Sequence, residues 1–286
     1  MTALLEVRQI KKYFPVVKGV VLTKVAGWIK AVDDVSFAIQ AGETFGLVGE
    51  SGCGKSTIAK TILLLEKTTS GSILFRGRPV LLSEKKELAE YRSEVQSVFQ
   101  DPTSSLNPRM RVGSIVSEPL VVNDGLSKSQ IKKRVREVLV QVGLRAGAAD
   151  RFPHEFSGGQ RQRIAVARSL IVRPSLIVLD EPVSALDVSI QAQIMNMLKE
   201  LQDKLGMAYL FIAHDLATVR YMSNRIGVMY LGKLVEYGPA DEVYTLRVHP
   251  YTQALFSAHL PSHPDVKQDE ILLSGEVPSA YELPPG

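Results

Sequence analysis

The chain has 286 residues, 45% hydrophobic and 22% charged, the proportions of an ordinary globular protein, and its net charge of +4 gives no strong case for nucleic-acid binding. No apolar run approaches the roughly 18–20 residues that span a bilayer, and the start MTALLEVRQIKKYF lacks a signal-peptide core. A cytosolic protein, able to dock on a membrane protein, is therefore expected, and the single cysteine, Cys53, excludes a disulfide framework or a multi-cysteine metal site within the chain.

The first segment, to about residue 48, is β-rich: LLEVRQI, AVDDVSFAI and TFGLVG have strand character. Between the first two, FPVVKGVVLTKVAGWIK breaks the pattern and is expected to form an extended surface loop. GESGCGKST, from Gly49 to Thr57, then joins the buried strand TFGLVG to the apolar-faced helix STIAKTILLLE. It fits G-x-x-x-x-G-K-[ST] at Gly49, Gly54, Lys55 and Ser56. The glycines, Gly52 included, let successive backbone N–H groups turn inward as an anion nest, and the helix N-terminus adds partial positive charge. Lys55 can reach outer phosphates, and the Ser56 hydroxyl is placed to ligate Mg²⁺. This is a nucleoside-triphosphate site. Cys53 inside it reads as a small side chain tolerated in a tight loop rather than a reactive thiol.

GSILFRG and VQSVFQ again read as strands. From about Asp101 to Arg163 the character changes to helical, with Ile131, Val135, Val138, Leu139 and Val142 at helical spacing. This region is expected to be a helical subdomain inserted into an α/β core. Its basic cluster from Lys128 to Arg136 reads as a solvated helix face. The α/β pattern resumes with the strand LIVLD, a helix from about Ser189 to Leu205, and the strand AYLFIAH. RIGVMYLGKLVEYG reads as a hairpin turning near Leu231-Gly232. Beyond Pro239 prolines become frequent, with short helical candidates at Ala240–Leu246 and Tyr251–His259.

A phosphate loop needs a carboxylate to complete the Mg²⁺ shell and a group to position the nucleophile. LIVLDEP supplies both: Asp180, at the carboxyl end of a buried strand, is the metal-side acid, and Glu181 can take a proton from attacking water. FSGGQRQRIAVARSLIVRP opens a helix at Ser157-Gly158-Gly159, a second anion-binding element.

With those residues in view, the chain resembles the ATP-binding cassette (ABC) ATPases. GESGCGKS, a Q-loop glutamine in VFQDP, FSGGQ, LIVLDEP, a D-loop SALD and a switch histidine in IAHD occur in the family's order between Ile10 and about Gly238. The resemblance implies an α/β P-loop core with an antiparallel β subdomain, a helical subdomain at about 101–163 and a short C-terminal extension. The ATPase domain would be 1–240 and the extension 241–286. It also implies residue roles. Phe14 stacks on adenine, with Tyr13 the alternative register. Gly49, Glu50, Ser51, Gly52, Cys53, Gly54, Lys55, Ser56 and Thr57 wrap the phosphates. Ser56 and Asp180 serve Mg²⁺, and Gln100 contacts Mg²⁺ or the attacking water and links the site to the helical subdomain. Glu181 is the general base and His214 senses the γ-phosphate. Ser157, Gly158, Gly159, Gln160 and Asp187 serve the ATP held by a second cassette, because in this family phosphate loop and signature lie on opposite sides of one subunit.

More narrowly, GLVGESGCGKST, VFQDPTSSLNPRMRVGSIVSEPL, the long stretch after KKYFP and the tail HPYTQALFSAHLP resemble the F-type ATPase of oligopeptide and dipeptide importers. In that family a cysteine-containing segment usually follows GEVPSAYELPPG, and Gly286 comes just before that point. The resemblance implies a transport-coupled ATPase using ATP and Mg²⁺, peripheral on the cytoplasmic face of the membrane. Its partners would be a second ATPase subunit (a paralogue or another copy), two transmembrane permeases contacted through the region after Gln100, and, indirectly, an extracytoplasmic solute-binding protein. Two rival classes compete. A soluble ABC ATPase acting on ribosomes or DNA would need two cassettes or a long coiled-coil insertion, and a nucleotide kinase has no use for FSGGQ with SALD.

Overall fold

The computed structural model describes residues 2–18, 24–81, 84–100, 105–123 and 126–257. Along the chain its elements are β1 (Leu5–Lys18), β2 (Lys24–Ile39), β3 (Thr44–Val48), α1 (Lys55–Ile62), β4 (Ser70–Phe75), β5 (Arg78–Pro79), α2 (Lys85–Glu94), β6 (Val95–Val98), α3 (Val112–Asn123), α4 (Lys128–Gln141), α5 (Gly158–Leu170), β7 (Leu176–Asp180), α6 (Val188–Leu205), β8 (Ala208–Ile212), α7 (Leu216–Met222), β9 (Arg225–Tyr230), β10 (Lys233–Pro239), α8 (Ala240–Leu246) and α9 (Pro250–Ser257). They form two compact units, one bounded as Met1–Ile39, Thr44–Pro79 and Ile212–Gly286, the other as Gln40–Glu43 and Val80–Phe211.

The first unit holds an antiparallel sheet in the order β2-β1-β4-β5. Leu5, Val7, Val35, Phe37 and Ile39 are buried while Arg8 and Ser36 are exposed, the period-two pattern of a sheet with one solvated face. The expected surface loop between Phe14 and Lys30 is instead a two-stranded ribbon for its described part, with Phe14 opposite Ile29, Pro15 opposite Trp28 and Val16 opposite Gly27. Pairing of β1 with β4 ends at Lys11 and Ser70. Beyond that point β1 has one neighbour, so Pro15 owes no N–H to a second strand. Val25 and Trp28 are each about half exposed, and the ribbon therefore carries no one-sided apolar alternation to announce it. Residues 19–23 of that stretch lie outside the described residues.

The same unit contains the strand order β10-β9-β3, with β9 parallel to β3 and antiparallel to β10. All five residues of β3 are buried. Phe45 stacks on Phe37 with ring centroids 4.7 Å apart. At Gly46 a Cβ would come within 2.4 Å of Val219 Cγ1, so this position lets α7 lie close against β3. The expected β9–β10 hairpin is present, turning through Leu231 and Gly232, both at positive φ.

In the second unit the order is β8-β7-β6, and β6 runs parallel to β7. Every residue of β7 and β8 is buried, which is why both read as apolar runs, broken in β7 only by the terminal Asp180. The Tyr209 hydroxyl donates to Leu198 O at 2.9 Å, so a phenol can sit in this core without an unsatisfied polar atom. Helices α3, α4 and α5 pack on one another. A capping box between Ser127 and Gln130 starts α4, whose Val135, Val138 and Leu139 turn inward while Lys128, Lys132, Lys133 and Arg136 stay exposed. The basic cluster is a solvated helix face.

Candidate functional site

Buried β3 ends at Val48, and the chain enters α1 through a loop that only glycine can follow at two points. Gly49 has φ 152° and Gly54 φ 110°. A Cβ at Gly49 would lie 2.2 Å from Met229 O, and one at Gly54 the same distance from Ala31 O. The loop is closed from outside as well. Gly232 N donates to Cys53 O at 3.0 Å, and Asp33 N donates to Gly232 O at 2.7 Å, so the β9–β10 turn holds the loop on β2.

Lys55, the first residue of α1, is buried, and its ammonium donates to Gly49 O at 2.6 Å and Glu50 O at 2.8 Å. The chain thus folds its loop around its own cation. Such an arrangement suits a polyanion: a fixed ammonium, a glycine-built cradle and the positive end of a helix lie together. Cys53 packs in the same cradle, with its Sγ 3.6 Å from the Lys55 ammonium. Burial pushes its thiol up despite Lys55 nearby, which fits a small packing residue.

Three other candidates belong to this unit. Tyr13 and Phe14 are successive residues of β1 and so point to opposite faces. The Tyr13 hydroxyl donates to Asp33 Oδ1, and desolvation together with that carboxylate raises the phenol to about 12. Phe14 has no such commitment: its ring lies 4.6 Å from the Lys12 ammonium. His214 is exposed, two residues beyond β8 and beside Asp215, which caps α7 by accepting from Ala217 N and Thr218 N.

The second unit carries the remaining candidates. Asp180 is buried at the end of β7. Glu181 follows at φ 50°, a left-handed conformation unusual for glutamate, and its carbonyl accepts from Ser184 N and Oγ. Gln100 is exposed, two residues past β6. Asp101–Ser104, in the stretch expected to meet permeases, lie outside the described residues. Ser157 is the N-cap of α5 in a capping box with Gln160. Gly159 lets this helix end approach α6, since a Cβ there would lie 2.5 Å from Ile190 Cγ2, while one at Gly158 would be in ordinary contact with Leu186 Cδ2 at 3.4 Å. Ser157, Gly158, Gln160 and Asp187 are all exposed.

The family model for the ABC transporter matches residues 32–184, from β2 to just past Glu181. The chain belongs to the ABC transporter family. Among curated relatives, this ABC protein is 51% identical over 287 aligned residues to the oligopeptide transport ATP-binding protein AppF of Bacillus subtilis, covering 99% of this chain and 87% of AppF. It is 45% identical to the dipeptide transport ATP-binding protein DppF of Haemophilus influenzae, over 100% of this chain and 86% of that one. Among solved structures, cbiO1 of Clostridium perfringens, part of the ABC transporter complex cbiONQ, superposes with a TM-score of 0.74 at 29% identity, over 86% of this chain and 92% of cbiO1. A dimeric ATP-binding cassette in a post-hydrolysis state with ADP and Pi gives 0.71 at 28%, over 82% and 98%. The fold is that of a P-loop ABC ATPase, and the enzyme class is the ABC-type ATPase.

One contact of this cassette's phosphate loop escaped the sequence. Tyr251 of α9 reaches Glu50 N, 201 positions away. Nothing local in HPYTQALF marks it.

Proposed function

We propose that this ABC ATPase powers a membrane importer for dipeptides or oligopeptides. The observation that carries the reading is the extent of likeness: identity to peptide-transport ATPases runs over essentially the whole chain, far past the matched domain. Among the described residues no helix is long and apolar enough to cross a membrane, so the passage for cargo would belong to permease partners. A peripheral seat on the cytoplasmic face follows from that division of labour.

In this reading Gly49–Thr57 binds the phosphates, with Lys55 on the outer ones, and Phe14 stacks on adenine. Tyr13, whose hydroxyl is held by Asp33, serves the sheet instead. The Ser56 hydroxyl, the Gln100 amide and the Asp180 carboxylate are hard oxygen donors of the kind Mg²⁺ takes alongside phosphates. When bound, Mg²⁺ supplies charge neutralisation for phosphoryl transfer. Glu181 takes the proton of the attacking water, and His214 holds the γ-phosphate end. Ser157, Gly158, Gly159, Gln160 and Asp187 would serve the ATP held by a second cassette. Exposure of Ser157, Gly158, Gln160 and Asp187 supports the pairing, as does Val188, an apolar side chain 81% exposed next to Asp187.

Co-reconstitution with the permeases and partner cassette in liposomes tests the proposal. ATP inside, labelled di- and tetrapeptides outside and a solute-binding protein should give ATP-dependent accumulation. ATP hydrolysis that responds to ribosomes or DNA, with no peptide uptake, would sink it.

A further inference from the structure

The Gly49–Glu50 peptide group is gripped on both sides. Its carbonyl oxygen accepts the Lys55 ammonium at 2.6 Å, and its N–H donates to the Tyr251 hydroxyl at 3.0 Å. Because the N–H and C=O of one planar peptide point in opposite directions, fixing either fixes the other. Glycine at position 49, free of Cβ restraint, would otherwise let this peptide rotate and swing its carbonyl away from Lys55.

Tyr251 is itself anchored by groups outside the loop. It is 3% exposed, and its ring lies on Tyr230 with centroids 4.1 Å apart. Tyr230 follows Met229, the residue whose carbonyl borders Gly49. At the start of α9, Val248 N and His249 N each donate to the Glu236 carboxylate at 3.0 Å, and Tyr251 N donates to His249 Nδ1 at 3.1 Å. Burial pushes the Glu236 carboxyl up, but the nearby Thr252 side chain and the N–H groups of His249 and Val248 outweigh it and hold the group below its ordinary value. The anchor is therefore ionised at neutral pH. The tilted contact with Tyr230 places the ring, the carboxylate places the helix end, and the hydroxyl is delivered to one N–H.

We propose that Tyr251 is a positioning residue for nucleotide binding: its hydroxyl fixes the Gly49–Glu50 peptide and, through it, the Lys55 ammonium. The segment after Pro239 is then part of the ATP site's machinery. This rests on the ATP-binding reading above, and it assigns the tail a task in the cassette apart from cargo or permease contact.

Tyr251→Phe in the full chain isolates the hydroxyl, since the phenyl ring can still pack on Tyr230. Losing one hydrogen bond of this kind is worth a several-fold change, so the Kd for MgATP should rise by about 3–10-fold. Hydrogen exchange at the Glu50 N–H should accelerate, while protection of the Ile58 N–H inside α1 stays at the parental level. A purely structural tyrosine would lower the melting temperature without moving Glu50 exchange selectively. Parental Kd and parental Glu50 exchange in a folded Tyr251→Phe protein would overturn the proposal. Should the variant not fold, Glu50 exchange in the parent decides: protection comparable to Ile58 supports the clamp, and the rate of an open loop overturns it. If the parent fails to bind MgATP, the ATP reading falls, and the exchange result still reports on the clamp alone.

Discussion

Lys55 Nζ sits 2.6 Å from Gly49 O, a side chain returning to the residue at the other end of its own loop. That contact makes the ammonium a brace for the loop, and in the proposed function it is also the charge presented to a phosphate chain. Lys55→Ala removes both at once. Charged hydrogen bonds of this type contribute about 1.5–3 kcal/mol, so MgATP affinity should fall by about 10-fold or more, with turnover falling too. Titration calorimetry on the purified chain checks this, and tight parental binding by Lys55→Ala would remove the lysine from phosphate recognition.

Glu181 should behave differently. It stands next to buried Asp180 at a left-handed backbone position that glutamine tolerates as well as glutamate does. Glu181→Gln therefore keeps shape and fold while removing the proton acceptor. ATP binding should persist, hydrolysis should drop by about 10²–10⁴, and ATP-loaded cassette pairs should accumulate. Steady-state phosphate release together with size-exclusion chromatography reads both effects. Near-parental hydrolysis at saturating Mg²⁺ would assign the base elsewhere.

Which parts were readable in the sequence follows from how local their physics is. The phosphate loop, the strand LIVLD and the turn at Leu231-Gly232 each rest on neighbours within a few residues, and each was legible. So was α4, whose capping box and inward Val135, Val138 and Leu139 lie within one helix. The ribbon formed by Phe14–Lys18 and Lys24–Lys30 was not, because half-exposed Val25 and Trp28 erase the alternation that marks a strand. Tyr251 was recognisable only as part of a family-like tail. Its partner Glu50 is too distant in sequence for any local pattern to connect them.

Tyr13 gives a pH signature. Its phenol is raised from 10.0 to about 12, by desolvation first and then by Asp33, so the folded state holds the proton more tightly than the unfolded chain does. The stability this contributes is fully present below pH 10 and is lost as pH rises through 12. Tyr13→Phe lacks both the titration and the bond to Asp33. Denaturant midpoints of parent and variant should differ at pH 8 and converge as pH approaches 12. A gap that stays constant across that range would show that Tyr13 does not titrate as argued.

The last prediction tests the split site. Lys55 belongs to one unit and Ser157 to the other, and the proposal assigns Lys55 to this chain's own ATP and Ser157 to the partner's. Ser157 is exposed at the N-cap of α5, where its hydroxyl accepts from Gln160 N, so an arginine there meets solvent rather than core. Loss of the cap should cost about 1 kcal/mol and leave the fold intact. In a pair with a paralogue bearing its own complete motifs, Ser157→Arg should leave ATP binding by this subunit at the parental level. The opposite site should fail, because a bulky cation replaces a helix-end hydroxyl beside the partner's γ-phosphate. Photo-crosslinking a labelled ATP analogue reports loading of each subunit, and single-turnover assays report hydrolysis at each site. If the isolated, folded Ser157→Arg subunit loses its own ATP binding, signature and phosphate loop serve one and the same nucleotide, and the two-chain mechanism must be abandoned for this protein.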